Sequence, residues 1–226
     1  MAPRLIAAAL AIVIGMAPSG PADAEPREPE HRQVITVRVA GPDSTRGVLE
    51  AWAWSNSTGG FVRVIGPMRA YVGEDGVGHA SEEVSRTPAG TFTLTEAFGT
   101  EADPGSRLPY RRVGLADWWV SDVESRKYNT WQHCAPGGSC GFNQAKSEQL
   151  GAIALYDHAI VIDYNRAPIV RGAGSAFFLH VTEYAPTQGC ISIPESSLER
   201  ILRWLRPEKS PIISIGVGRE AYAVLG

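Results

Sequence analysis

One stretch of the chain concentrates groups capable of covalent chemistry: Ser175-Ala-Phe-Phe-Leu-His180-Val-Thr-Glu-Tyr-Ala-Pro-Thr187-Gln-Gly-Cys190-Ile-Ser-Ile193. Side chains alternate along a strand, so His180 shares a face with Phe178 and Thr182, and Cys190 shares one with Ser192. Pro186 and Gly189 mark a turn between two such strands, and the intervening residues suffice to reverse the chain. Paired as neighbours, the strands bring the imidazole and the thiol within hydrogen-bond reach. That is the arrangement of nucleophilic thiol catalysis. A cysteine with an unperturbed pKa of about 8.5 is mostly protonated at neutral pH, and a neighbouring histidine takes its proton and later returns one to the leaving group. Gly189, lacking a Cβ, allows close backbone approach, so that N–H groups around Gly189 and Cys190 face the oxyanion of a tetrahedral intermediate. The bland alternative makes His180 a satisfied core histidine and Gly189 an ordinary turn residue, and spacing alone leaves it open.

The cysteine count bears on which thiol is free. Residues 1–24 read as an export signal, with a positive start at Arg4, an apolar stretch from Leu5 to Ala17 and an Ala22-Asp23-Ala24 cleavage site. The apolar stretch falls short of the roughly 20 residues of a membrane span. The product is therefore expected outside the cytoplasm, associated with the cell envelope and without a membrane span after cleavage. There the chain's 3 cysteines cannot all pair. Cys134 and Cys140 flank the turn-rich Ala135-Pro136-Gly137-Gly138-Ser139 and are the expected disulfide, although sequence alone does not fix the pairing. Cys190 is then the odd thiol, either an inert buried hydrophobe or a nucleophile.

The elements that must position these groups are mainly strands. After a polar leader over residues 25–33, β-branched and aromatic runs recur at VITVRVA from 34, VLEAWAW from 48, FVRVIG from 61, GTFTLTEAF from 90, AIVIDY from 159, AFFLHV from 176, CISI from 190 and PIISIGV from 211. Helical spacing appears at 194–206, where Leu198, Ile201, Leu202 and Leu205 form one stripe expected to pack on a sheet, and Pro207 stops the run. Between Gly99 and Gln149 periodicity is lost, which predicts long surface loops held by the disulfide.

With 226 residues, 44% of them hydrophobic and 20% charged, one folded domain over 34–226 is expected. A net charge of −3 offers no basic field for a phosphate backbone, so nucleic-acid binding is excluded as a working class. His133 beside Cys134 lacks the spacing of a zinc knuckle, and no metal is expected. His158 reads as an exposed turn residue, His31 and His79 as solvated loop residues. Trp118, Trp119, Tyr110 and Trp131 read as core caps rather than a glycan-binding surface.

The stretch from Ser175 to Gly216, together with Arg86-Thr87-Pro88-Ala89-Gly90-Thr91-Phe92-Thr93-Leu94, resembles the L,D-transpeptidase catalytic domain (YkuD-like), especially exported actinobacterial members. In that family a T-P-x-G-x-F segment precedes a histidine and then a Ser/Thr-His-Gly-Cys motif. The resemblance implies a β-sandwich of mixed sheets, action on peptidoglycan stem peptides, no cofactor, and acylation by carbapenem β-lactams. Carried over, Cys190 is the nucleophile and His180 the base, with Thr187, Gln188, Gly189 and Ser192 around the oxyanion and substrate. Three features depart from the family pattern: Gln188 replaces the motif histidine, Ser192 stands where Arg or Asn is usual, and the His180–Cys190 connection is short. A glutamine hydrogen-bonds but does not shuttle protons. A sortase-like transpeptidase and a non-catalytic peptidoglycan-binding relative remain as alternatives. A peptidase with Cys before His does not fit the order seen here.

Overall fold

A computed structural model describes residues 28–226, so the expected export signal over 1–24 lies outside the described residues. The strands in chain order are β1 (Gln33–Val39), β2 (Arg46–Ser55), β3 (Gly60–Tyr71), β4 (Val77–Gly78), β5 (Thr87–Pro88), β6 (Gly90–Thr93), β7 (Ala97–Gly99) and β8 (Tyr110–Arg112). They continue with β9 (Asp117–Trp119), β10 (Trp131–His133), β11 (Glu148–Gln149), β12 (Ala159–Val161), β13 (Phe178–Val181), β14 (Ile191–Ile193) and β15 (Ile212–Val217), with one α-helix, α1 (Glu195–Trp204). Every β-branched run read from the sequence contributes a strand.

Ten strands form one mixed sheet in the order β6-β15-β1-β2-β3-β14-β13-β12-β7-β8. β6 is at one end of that order and β7 next to the other end, yet only residues 94–96 join them. Three residues span at most about 10 Å, so the sheet must curl until its ends meet. The layers of the expected sandwich are thus parts of one folded-over sheet. The run GTFTLTEAF keeps strand-like alternation throughout, but the chain turns over in its middle. There the Thr93 and Thr95 hydroxyls both donate to Asp163 Oδ2, at 2.7 and 2.8 Å.

The larger core is aliphatic. Ile35, Val37, Leu49, Leu179, Ile191 and Ile193 pack with the α1 stripe of Leu198, Ile201, Leu202 and Leu205, all fully buried. The stripe packs as its 3.6-residue spacing requires. α1 is shorter than the sequence spacing suggests. Pro194 caps it in an extended conformation, and Leu205 leaves the helix because the chain extends toward Pro207.

The segment 99–149 differs from the expected surface loops. β9, β10 and β11 form a small antiparallel sheet, and Trp118 and Trp119 of β9 are buried, as is Tyr128. The Cys134–Cys140 disulfide closes the turn beyond β10, with Cα atoms 5.8 Å apart. Among the described residues no helix is long and apolar enough to cross a membrane.

Candidate active site

β13 and β14 are neighbours, but they run parallel, with His180 opposite Ser192 and Leu179 opposite Ile191. The expected reversal into an antiparallel hairpin does not occur. Residues 182–190 instead cross back past the end of β3, where Thr187 bridges to Gly73 and its N–H donates to Val72 O at 2.9 Å. The alternation reading survives the change of direction. Leu179, Ile191 and Ile193 enter the aliphatic core, while Phe178 and Cys190 join a second, aromatic cluster with Phe98, Trp119 and Tyr156.

The turn before the thiol is held by two threonines. Gly189 has φ +119°, and a Cβ there would stand 2.8 Å from Phe177 Cε1, so only glycine fits. The Thr187 hydroxyl donates to Cys190 O at 2.6 Å and accepts the Gly189 N–H at 3.2 Å. Thr87, from the upstream T-P-x-G-x-F segment, is fully buried; it accepts the Gly73 N–H at 2.8 Å and donates to Gly189 O at 2.7 Å. In a trans peptide C=O and N–H point oppositely, so anchoring Gly189 O on Thr87 turns the Cys190 N–H away from that anchor. The Gly189 N–H is already engaged by Thr187. Gln188 is exposed at the rim, and Ser192 is buried with its hydroxyl on Thr182 Oγ1 at 3.1 Å.

Cys190 is the free cysteine and is buried. Its Sγ accepts the Phe178 N–H and donates toward Ala176 O, both at 3.3 Å. Burial, with the nearby Glu148 charge, pushes this thiol well above its ordinary value and keeps it protonated at rest. His180 is 4% exposed. Its Nδ1 faces Val181 O at 2.7 Å, and a carbonyl only accepts, so Nδ1 carries the proton and Nε2 keeps its lone pair. Burial holds the imidazole at about 4, so it is neutral near pH 7. No hydrogen bond joins His180 to Cys190; the two are diagonal neighbours on one face.

Two groups that the sequence did not disclose stand beside them. Tyr156 packs edge-on against His180 at 5.4 Å and against Phe178 at 5.4 Å, and its hydroxyl donates to Glu148 Oε2 at 2.6 Å. Burial pushes Glu148 up to about 7, with the Glu82 charge adding to the rise and the tyrosine hydrogen bond opposing it. Both residues lie in or beside short 3₁₀ turns, where neither a 2- nor a 3.6-residue period marks a face.

His180, Cys190, Tyr156, Glu148 and Gln188 line one cleft of about 720 Å³. Glu74, Glu82, Glu83, Glu148 and Glu183 stand around it against a single lysine, Lys146, so the cleft is acidic. His158 is buried, contrary to the exposed turn expected: its Nδ1 meets the Tyr110 hydroxyl at 2.8 Å. Among the described residues, a grouping with metal-ligand side chains is His158, Glu195 and Glu199, with ligand atoms within 4.8 Å of one another. It stands at the start of α1 and none of its members lines the cleft. His133 pairs with Asp117 at 2.9 Å.

Fold and cleft define a mainly β domain that presents a buried thiol and a neutral imidazole to a peptide-sized opening. The family model of the L,D-transpeptidase catalytic domain, YkuD, matches residues 49–213, and the chain belongs to that family, which acts on peptidoglycan peptides. No curated protein and no solved structure matches the chain. Membership sets aside the sortase-like alternative.

Proposed function

We propose that the protein is an exported L,D-transpeptidase that forms or remodels peptidoglycan cross-links through an acyl-Cys190 intermediate. The observation that carries this reading is the shared cleft wall, on which the one free thiol lies beside an imidazole whose Nε2 is left unprotonated.

The thiol turns from Ala176 O toward His180, and Nε2 accepts its proton as sulfur attacks the carbonyl of the L-centre of diaminopimelate in a donor stem. The oxyanion receives the Cys190 N–H, whose direction the Thr87 anchor sets. Collapse breaks the amide C–N bond; D-alanine leaves with the proton held on His180, and a thioester remains. An acceptor amine then attacks the thioester and gives its surplus proton to His180, which returns it to the departing sulfur. Thr187 and Gly189 shape this wall, Gln188 at the rim hydrogen-bonds a substrate amide, and Ser192 supports it from below through Thr182. The acidic rim suits an incoming ammonium group.

A second reading, a relative that binds peptidoglycan without turnover, draws on the missing His180–Cys190 hydrogen bond and on Gln188. Intact mass after incubation with a carbapenem separates the two. One stoichiometric adduct, absent in Cys190→Ala, is the expected outcome. No adduct while Cys190 remains reduced would favour the binding module.

A further inference from the structure

The thiol has a polar neighbour that the steps above leave unused. Tyr156 is buried, its hydroxyl donates to Glu148 Oε2 at 2.6 Å, and it packs in one aromatic cluster with Cys190 and lines the same cleft. Its ring is fixed from three sides, edge-on to Phe98 at 5.6 Å, Phe178 at 5.4 Å and His180 at 5.4 Å. Held in this way, the tyrosine gives its O–H to the carboxylate, and the Cys190 sulfur belongs to the same cluster.

We infer that Tyr156 is a further catalytic residue, donating its hydroxyl hydrogen to the Cys190 thiolate, and that Glu148 is a positioning residue which decides where that hydrogen points. The inference rests on Cys190 being the reacting group in the proposed function. The hydrogen-bond arithmetic is simple. A phenol has one proton to give. When Glu148 is ionised it takes that proton and adds a negative charge near the sulfur, so the thiolate is disfavoured twice. When Glu148 is protonated, its own O–H donates to the tyrosine oxygen, and the phenol O–H is released to the sulfur. The resulting chain runs Glu148 O–H to Tyr156 O–H to sulfur anion, with the Phe178 N–H as the second donor. No bond is made or broken in it; only donors are redirected.

The charged and titratable groups facing this pair come from several elements. Glu82, before β5, acts on Glu148 and is itself hydrogen-bonded by the Tyr128 hydroxyl. Glu74, Glu83, Glu183 and Lys146 stand on the cleft walls, and His180 faces the tyrosine ring from β13. Because Glu148 sits near 7, its switch between the two arrangements falls in the range where the protein would work.

The test uses iodoacetamide alkylation of Cys190, followed by intact mass from pH 5 to 9, on the full protein with its disulfide formed. Alkylation needs no peptidoglycan substrate and only one free thiol is present. Its result therefore stands apart from the carbapenem result: an adduct with a flat relay sinks the relay alone, and a working relay without an adduct sinks the transpeptidase reading alone. In the wild type the rate rises with pH, flattens as Glu148 ionises near pH 7, then rises again. Tyr156→Phe keeps the packing and loses the donor, so alkylation slows about tenfold at pH 6, the scale of a hydrogen bond to a charged group. Glu148→Gln removes the charge, so alkylation speeds several-fold above pH 8, changes little below pH 6, and the flattening disappears. Opposite signs from two touching residues are what loosening of the fold does not produce. Rates within twofold of wild type in both variants, equal shifts of one sign, or a wild-type profile with no inflection near pH 7 would each overturn the inference. The wild-type profile decides the matter even where a variant fails to fold.

Discussion

The two faces of the sheet are built from different materials. On one, Leu179, Ile191 and Ile193 meet the α1 stripe of Leu198, Ile201, Leu202 and Leu205, and the packing there is almost purely aliphatic. On the other, Phe98, Trp119, Tyr156 and Phe178 interlock edge to face at 5.0 to 5.6 Å around Cys190. Branched aliphatic side chains fill volume without polar atoms, which suits a face that only has to hold. Aromatic rings give comparable burial while carrying polar tips at fixed places: the Tyr156 hydroxyl reaches Glu148, and the Trp119 indole N–H donates to Asn129 Oδ1 at 2.8 Å. Consecutive residues serve both faces, since Ile191 is buried in one and the Cys190 thiol in the other. The aliphatic core and the free thiol are thus separated by one step along the backbone.

That separation gives its sharpest test on the aliphatic side. Leu198→Ala leaves a cavity in a fully buried site and is expected to cost about 2–5 kcal/mol, seen in chemical denaturation. The pH profile of Cys190 alkylation should stay as in the wild type. A changed profile would show that the faces are coupled. Opening the Cys134–Cys140 bridge by a double Ser substitution acts at the far edge of the aromatic side. The loop it closes is short, with a separation of 6, so loop-closure entropy predicts a loss of about 2 kcal/mol and an unaltered thiol.

A further effect is in pH dependence. Unfolded, His180 protonates near its ordinary value of 6.5; folded, it resists until about 4. Between those values the unfolded chain binds more protons, so stability falls as pH drops through the window. Glu148 has the opposite sign, rising from 4.5 to about 7 on folding, so its contribution is lost as pH rises through that range. His180→Gln is expected to flatten the acid side of a melting-temperature profile, and an unchanged acid limb would assign the loss to other groups.

How much of this was legible beforehand follows the same division. The aliphatic face announces itself, because alternating Ile and Val runs and a 3.6-residue leucine stripe each have a period. The thiol and the imidazole were also readable, as an odd cysteine and a histidine on same-face strand positions. The parallel pairing was not, since it depends on Thr187 bonding to Val72 and Gly73, contacts more than 100 residues apart in sequence. Tyr156 and Glu148 were invisible for a related reason: one ends a three-residue 3₁₀ turn and the other opens a two-residue strand, both too short for a period to mark a face. The segment 99–149 looked like loops because its strands are three residues or shorter, too brief for alternation to show.

The sheet order also carries a consequence for how the molecule assembles. β15, residues 212–217, lies between β6 and β1 rather than at an edge, and it pairs in parallel with a strand that begins at residue 33. Until β15 arrives, β1 presents an open edge and the curled sheet cannot close. Such distant partners make the search slow and leave a sticky edge meanwhile. The sheet is therefore completed late, and a chain still being synthesised would not yet hold it closed.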